Sequence, residues 1–216
     1  MISSLLLSLF ACSEFTVHKS PDPPVAQPPG DERDEWGEPP DWSSCTQRYD
    51  GRYTNLPGNH PDLLGADGDS GDTGAPRLSP APADPSELDW WDATYLAFRR
   101  EEATLDQGGD WWPVDEGLEG DPQGWAGRWL AWLRIESGGN HRFVLGASTD
   151  AWLLVDGEVL ARIDSAPRFE PATVELSLEA GQRRLELRTA QRGGESGLSF
   201  RPIGEDLAIC VGEPGD

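Results

Sequence analysis

The second half of the chain alternates between short apolar runs and turn residues, at a spacing typical of antiparallel strands. Within 127–135 large apolar side chains alternate with other residues, and Asp156-Gly157 is a strong hairpin signal of the type I′ kind. Strands every ~8–12 residues without long helical periodicity are typical of a sandwich or barrel. The predicted strands are 127–135, 141–147, 152–155, 158–161, 173–178, 184–188 and 198–201. The pattern therefore predicts an all-β fold.

The region upstream of these strands is less regular. A first strand is predicted at 51–54, and the stretch 90–100 fits either a strand or a short helix. The acidic loop 65–74 is interpreted as solvated, because its glycine spacing does not fit an EF-hand calcium loop. Residues 106–124 are rich in Gly, Asp and Trp and are predicted to form a long loop, a kind of segment that often carries function.

The N-terminus has the pattern of an export signal. Residues 5–11 form an apolar run far shorter than the ~20 residues that cross a bilayer. The run ends in LFAC at residues 9–12, which resembles a bacterial lipobox, although no basic residue precedes the run. The resemblance implies a signal peptide at 1–11 and lipidation of the Cys12 thiol. The alternative is an ordinary cysteine at this position.

The stretch after the apolar run is dominated by proline, acidic and small polar residues. Such a stretch cannot bury enough apolar surface to repay the entropy of ordering. We therefore expect residues 12–44 to form a disordered tether, 45–210 to form the folded domain and 211–216 to form a tail. Trp36 and Trp42 are candidates for the point where the tether first touches the domain.

The charge of the chain restricts its partners. The net charge is −22, with 39 acidic residues against 17 basic ones. This argues against nucleic-acid binding, which needs Lys and Arg to displace phosphate counterions, and against an electrostatic grip on anionic lipid. It permits divalent cations and neutral ligands.

The three cysteines suggest one disulfide. If Cys12 carries lipid, Cys45 and Cys210 remain, just before the first and just after the last predicted strand. A bond between them would close the domain and would require an oxidising, exported location. The chain has no CxxC motif and no Cys/His cluster, so a zinc site is not expected.

Five short sequence segments, in the order in which they occur, resemble the motifs of a known family. They are YDGRYTNL at 49–56, RWLAW at 128–132, GNHRFVL at 139–145, STDAWLLVDG at 148–157 and LSLEAGQRRL at 176–185. Together they resemble the motif series of PA-14 domains, a family that shares its core with bacterial fibro-slime proteins. The resemblance covers about 45–201 with a long insertion, and it implies an antiparallel β-sandwich or barrel.

The same resemblance implies a candidate site. Many PA-14 domains bind glycans, and in fungal members an adjacent Asp pair holds a calcium ion that contacts sugar hydroxyls. Thr149 and Asp150 occupy those two positions here, so a neutral hydroxyl replaces one carboxylate and calcium affinity should be weakened. Asp150 is thus either a metal or glycan ligand or a hydrogen-bonded loop residue. Trp152 opens an apolar strand and is expected in the core, whereas Trp111 and Trp112 in the long loop are candidate stacking surfaces for a sugar.

These features favour a non-catalytic carbohydrate-binding or adhesive domain on an exported lipoprotein of the cell envelope, at the outer membrane or cell surface. Its expected partners are a glycan or surface polysaccharide, and the membrane through the lipid anchor, with calcium as the one candidate cofactor. The alternative is a structural or protein-binding envelope lipoprotein that binds neither glycan nor calcium. An enzyme is not expected, because His18, His60 and His141 lie outside any catalytic motif.

Overall fold

The computed structural model describes residues 33–57, 60, 81–109, 124–166, 168–191 and 196–213. They form one helical turn and eleven strands, with short 3-10 turns at Pro85–Glu87 and Ala93–Tyr95. The elements are α1 Arg33–Trp36, β1 Tyr49–Asn55, β2 Leu96–Glu102, β3 Leu105–Gly109, β4 Trp125–Ile135, β5 Gly139–Ala147, β6 Thr149–Val155, β7 Glu158–Ala166, β8 Ala172–Leu178, β9 Gly181–Gln191, β10 Gly197–Ile203 and β11 Leu207–Cys210. The all-β prediction is confirmed.

The strands form two antiparallel sheets. One has the order β2-β1-β4-β9-β6-β7, with β11 also pairing with β4, and the other has the order β3-β10-β5-β8. β1 pairs with the first half of β4 and β11 with its second half, so the two lie end to end along the same strand. The long strand β4 is therefore the centre of the larger sheet.

Each predicted strand is present, and most are longer than predicted. Two strands were missed: β11, and β3, which occupies the first residues of the predicted long loop. The ambiguous stretch 90–100 contains both a 3-10 turn and the beginning of β2. β3 is short and rich in glycine and polar residues, so it lacks a strand-like pattern and depends on pairing with β10.

The main core lies between the sheets and is formed by alternate side chains of each strand. Trp129, Leu133 and Ile135 of β4 face Phe143 and Phe200 of the smaller sheet, whose rings stack 5.9 Å apart. Gly127 is needed beside them, because a Cβ there would collide with the Trp129 ring. The period-two alternation read from the sequence thus places one face of each strand in this core.

A second, smaller core lies on the outer face of the larger sheet. The segment 81–95 covers this face, and Trp90 packs there with Trp152, both fully buried. Trp152 donates a hydrogen bond from Nε1 to the carbonyl of Pro82 at 3.1 Å. The prediction that Trp152 is a core residue is confirmed, and the core it joins is this second one.

The Asp156-Gly157 turn joins β6 to β7 as predicted. Both residues have positive φ, 52° and 85°, as a type I′ turn requires. The Asp156 carboxylate also accepts a hydrogen bond from the backbone N–H of Arg184 at 2.9 Å. This side chain therefore fixes the hairpin to β9 and acts as a turn former.

The folded part extends into the residues expected to be a tether. Residues 33–38, here called the strap, lie on the outer face of the larger sheet, and Trp36 is only 7% exposed. Glu38 and Glu213 form a β-bridge with paired backbone hydrogen bonds of 3.0 and 2.9 Å. The packed residues therefore extend beyond the expected boundaries at 45 and 210, because residues far apart in sequence pair with a segment whose composition alone favours disorder.

The Cys45–Cys210 disulfide is confirmed, with the two Cα atoms 6.0 Å apart. Cys210 ends β11, opposite Trp132, and β1 begins nearby on the same edge of β4. The bond therefore joins the segment that leads into β1 to the last residue of β11. Within the described ranges no helix is long and apolar enough to cross a membrane; Cys12 and the predicted signal peptide lie outside those ranges.

Candidate functional site

Many strand ends converge at one end of the sandwich, here called the loop end. β1, β3, β5, β7 and β9 finish there, and β4, β6 and β10 begin there, as their pairings require. The opposite end carries the tight turns at 136–138, 156–157 and 179–180. The PA-14 resemblance places the candidate ligand residues at the start of β6, which is at the loop end.

Asp150 lies near the start of β6, directly opposite Ala190 of β9. Ala190, Trp152 and Leu154 belong to the second core, so the alternation along β6 places the Asp150 side chain on that outer face. Asp150 is 0% exposed. Burying a carboxylate is costly unless it is paired or hydrogen-bonded, so this position is built into the packing of the sheet.

Thr149 begins β6, with its backbone opposite Ala166 of β7. The register between β6 and β7 shifts between Thr149 and Ala151, which marks a bulge at this point. Bulges are frequent near functional sites because they redirect a side chain or end the pairing of two strands. The Thr149-Asp150 pair therefore stands at an irregular position of an otherwise continuous sheet.

The flanks of the predicted long loop lie near Asp150. On one flank, Gly109 at the end of β3 is opposite Gly197 of β10. The Gly197 carbonyl accepts a hydrogen bond from the N–H of Ser148, two residues before Asp150, at 3.1 Å. At the other flank, Trp125 is opposite Gln191, the residue that follows Ala190. Neighbouring strands lie about 4.8 Å apart, so both flanks are within two or three strand spacings of Asp150.

Trp111 and Trp112, the candidate stacking residues, lie outside the described residues, between these two flanks. Their role in binding stays a prediction. What the structure adds is that the segment carrying them leaves and rejoins the sandwich at the loop end.

The described residues contain no cluster of acidic side chains around Asp150 of the kind that usually holds calcium. Calcium takes six to eight oxygen ligands, usually with several carboxylates. In the described part of the chain, no group of three or more Asp, Glu, His or Cys side chains could hold a metal ion. Calcium binding at Asp150 therefore stays a prediction.

The outer face of the larger sheet carries a feature that the sequence analysis missed. Arg52, Arg128 and Arg188 are directly opposite one another on β1, β4 and β9. Like charges in such positions repel unless they are compensated. A search for charged residues at outward positions of predicted strands would have found the three arginines, but strand register was needed to align them.

Two carboxylates compensate this arginine row. Glu35 of the strap lies 2.8 Å from Nη1 of Arg52 and 2.6 Å from Nη1 of Arg128. Glu186 of β9 accepts a hydrogen bond from Arg128 Nε at 2.6 Å and also pairs with Arg188. The strap is thus part of the charge balance of the sheet.

The pKa values on this face follow from the pairing. Burial by itself raises the pKa of Glu35, but the positive charges of Arg128 and Arg52 outweigh it and the pKa is lowered. Burial by itself lowers the pKa of Arg128, but Glu186 and Glu35 outweigh it and that pKa is raised. Both groups are therefore held in their charged forms.

Trp36 fixes the strap beside these ion pairs. The guanidinium carbons of Arg128 and Arg184 lie 5.5 and 5.2 Å from the centre of the Trp36 ring, within cation–π range. Trp36 Nε1 donates to the Leu185 carbonyl at 3.5 Å, and the Trp36 carbonyl accepts from Trp132 Nε1 at 3.3 Å. The expectation that Trp36 marks first contact with the domain fits this arrangement.

No known family model matches the chain, and no curated protein matches it either. Several solved structures, however, are similar to it. The A domain of epithelial adhesin 9 from Candida glabrata, solved in complex with Galβ1-3GlcNAc, has a TM-score of 0.50 at 10% identity, covering 83% of this chain and 96% of that domain. A PA14 sugar-binding domain from an RTX adhesin has a TM-score of 0.47 at 12% identity, covering 76% and 98%.

An anti-sigma factor domain-containing protein is also similar, with a TM-score of 0.49 at 14% identity over 78% of this chain. The chain spans 49% of the length of that protein, and 14% of the length of two glycosidases that it also matches. The similarity to these structures is one of fold. The described domain is an antiparallel β-sandwich with a fold similar to that of the adhesin 9 A domain, as the PA-14 resemblance of its motifs implies.

Proposed function

We propose that this β-sandwich is a non-catalytic carbohydrate-binding or adhesive domain. The observation that carries the proposal is a PA-14-type fold with Asp150 at the loop end, where the flanks of the Trp111–Trp112 segment also meet. The adhesin domain with the same fold was solved with a galactose-containing disaccharide, and this chain covers nearly all of that domain. Strand ends of a rigid sandwich are suitable supports for ligand-binding loops.

We further propose that the protein is exported and held at the cell surface by lipid on Cys12. The Cys45–Cys210 disulfide supports export, because such bonds persist in oxidising compartments. Along β4, Cys210 is opposite Trp132, and Asp150 is level with Ala126. These two positions of β4 are six residues apart, so the disulfide and Asp150 are separated by about 20 Å along the strand. The disulfide end would then lie towards the tether and the loop end away from it.

The absence of catalysis is proposed because the described histidines have structural roles. His141 lies buried between the carboxylate of Asp206, 3.0 Å from Nδ1, and the carbonyl of Ser137, 3.0 Å from Nε2. His60 is buried with Nε2 3.1 Å from Asp89. Both rings are occupied in holding loops, and His141 lies at the end of the sandwich opposite Asp150.

A binding experiment tests the proposed function. The full chain is screened on a glycan array with calcium and with EDTA, and Galβ1-3GlcNAc is titrated by calorimetry. Asp150→Asn, which keeps the shape of the side chain, should weaken binding at least tenfold. Asp156→Asn, in the turn beyond the other end of β6, is the matched control and should bind as the wild type does.

If binding is equal in calcium and EDTA, the glycan site acts without the metal. If no glycan on the array binds under either condition, the proposal fails.

The complete burial of Asp150 favours one other candidate function. A carboxylate with no exposed surface can serve packing alone, and Thr149 removes the second acid of the motif. The domain would then be a structural or protein-binding module of the envelope. In that case Asp150→Asn lowers the melting temperature, and no saccharide raises the melting temperature of the wild type.

A further inference from the structure

A cleft of about 350 Å³ lies beside the strap on the outer face of the larger sheet. Its walls are formed by the strap at 35–37, by residues 211–213, and by the edge strand β2 with its neighbour β1. Leu130 and Ala131 of β4 also line it. Gly212 allows the close approach of the first two segments, because a Cβ there would collide with the carbonyl of Trp36.

The charged groups in this cleft are largely compensated. Arg52 donates from Nε to Asp50 at 3.2 Å, from Nη1 to the Glu35 carboxylate at 2.8 Å, and from Nη2 to the Glu35 carbonyl at 3.2 Å. Arg99, which also lines the cleft, is exposed and makes no ion pair with any described residue. The walls therefore combine one available guanidinium with carboxylates that keep free acceptor positions.

We propose that this cleft is a second ligand site, for a neutral polyhydroxylated ligand such as a mono- or disaccharide unit. Hydroxyl groups can donate to Asp50 and Glu213 and accept from Arg99 without breaking the Arg52 pairs. An anion would face the carboxylates of Glu35, Asp50 and Glu213, and a cation would face the guanidiniums of Arg52 and Arg99. The volume is in the range of small-molecule pockets, and the partly exposed Val211 offers an apolar surface to the face of a sugar ring.

This site is separate from the one proposed at the loop end. Asp150 is level with Ala126 on β4, and the cleft begins at Leu130, four residues or about 14 Å further along that strand. The inference rests on the proposed function only for the class of ligand. The two sites can be tested with different variants.

A ligand in the cleft would contact the strap, the C-terminal segment and the sheet together. Because it binds only when these three are assembled, it must stabilise the docked strap. Saturating ligand should therefore slow proteolytic cleavage near residues 33–44, at a protease concentration that leaves the sandwich intact.

The test measures saccharide binding and strap protection on the full chain. Arg99→Ala removes an exposed side chain, and Val211→Trp fills the cleft; each should reduce ligand protection of the strap at least fivefold. Arg201→Ala, an exposed arginine on the other sheet, is the matched control and should behave as the wild type does. Asp150→Asn should leave strap protection unchanged even where it abolishes binding at the loop end.

Three results would overturn the inference. The first is that no neutral saccharide protects the strap of the wild type, and the second is that Asp150→Asn and Arg99→Ala lose protection equally. The third is that a uronic acid protects the strap better than its neutral counterpart does. Strap protection that persists in Asp150→Asn would support the cleft even if the loop-end site failed. If saccharide binds at the loop end but does not protect the strap, the proposed function stands and the cleft is not a ligand site.

Discussion

Glu35 Oε2 lies 2.6 Å from Nη1 of Arg128, a residue 93 positions further along the chain. This ion pair joins a segment of tether-like composition to the central strand of the larger sheet. Because Glu35 also pairs with Arg52, one carboxylate balances two arginines that stand directly opposite each other.

Glu35→Gln should loosen the strap without unfolding the sandwich. The Glu35 side chain is 37% exposed, so solvent screens part of the interaction and we expect a loss of about 1 kcal/mol. The measurement is the rate of limited proteolysis near residues 33–44, which should rise severalfold. Glu38→Gln, an exposed acid on the same segment, should leave that rate unchanged; equal rates for Glu35→Gln and wild type would contradict the role of this ion pair.

The contribution of Glu35 should depend on pH in a defined direction. Its pKa is lowered in the folded protein, so its stabilisation is complete above the unfolded-state value of about 4.3 and is lost as pH falls through the lower folded-state pKa. The difference in free energy of unfolding between wild type and Glu35→Gln should therefore be constant from pH 6 to 8 and shrink below about pH 4. Urea unfolding at a series of pH values measures it, and a difference that grows on acidification would refute this account.

Breaking the Cys45–Cys210 bond should destabilise the whole domain. The bond closes a separation of 165 residues, which in the chain-entropy model corresponds to about 5 kcal/mol. The double variant Cys45→Ser/Cys210→Ser should lower the free energy of unfolding by an amount of this order, as measured by guanidinium denaturation. Cys12→Ser is the control, and the dithiothreitol sensitivity of the wild type should disappear in the double variant.

Trp152 should be a major contributor to the second core. Trp152→Ala creates a large cavity at a fully buried position and should cost about 3–5 kcal/mol. Trp152→Phe retains most of the volume but leaves the Pro82 carbonyl without its 3.1 Å hydrogen bond, at a cost of about 1–2 kcal/mol.

Trp42→Phe is the matched control for the second variant. The indole nitrogen of Trp42 has no hydrogen-bond partner in the part of the chain that the structure describes. Its replacement should therefore cost less than Trp152→Phe in the same urea titration. The reverse order would show that the Trp152–Pro82 bond does not hold the segment 81–95 on the sheet.

The alternation of β4, β5 and β8 could be predicted from the sequence because each carries its period-two pattern in its own residues. The Asp156-Gly157 turn was predictable for the same reason, since its positive φ angles depend on local residue types. β3 and β11 were missed because they are short. Each is a strand only because a neighbour, β10 or β4, pairs with it.

The residues of the candidate site could be predicted from the sequence, but their burial and their neighbours could not. The motif order located Thr149 and Asp150, but the burial of Asp150 depends on Ala190 across β9 and on the second core beside it. The arginine row could not be predicted, because an error of one residue in register would separate Arg52, Arg128 and Arg188. The cleft beside the strap requires that register and the docking of the strap and of residues 211–213.

By itself, the sequence determined the strand class, the hairpin turn, the pairing of Cys45 with Cys210 and the PA-14 type of sandwich, because these depend on local periodicity, turn chemistry and motif order. Only the tertiary structure decided that residues 33–38 dock, that Trp152 belongs to a second core and that the arginines align. These features arise from contacts between residues tens of positions apart, and their energies exist only once the sheet has brought the partners together.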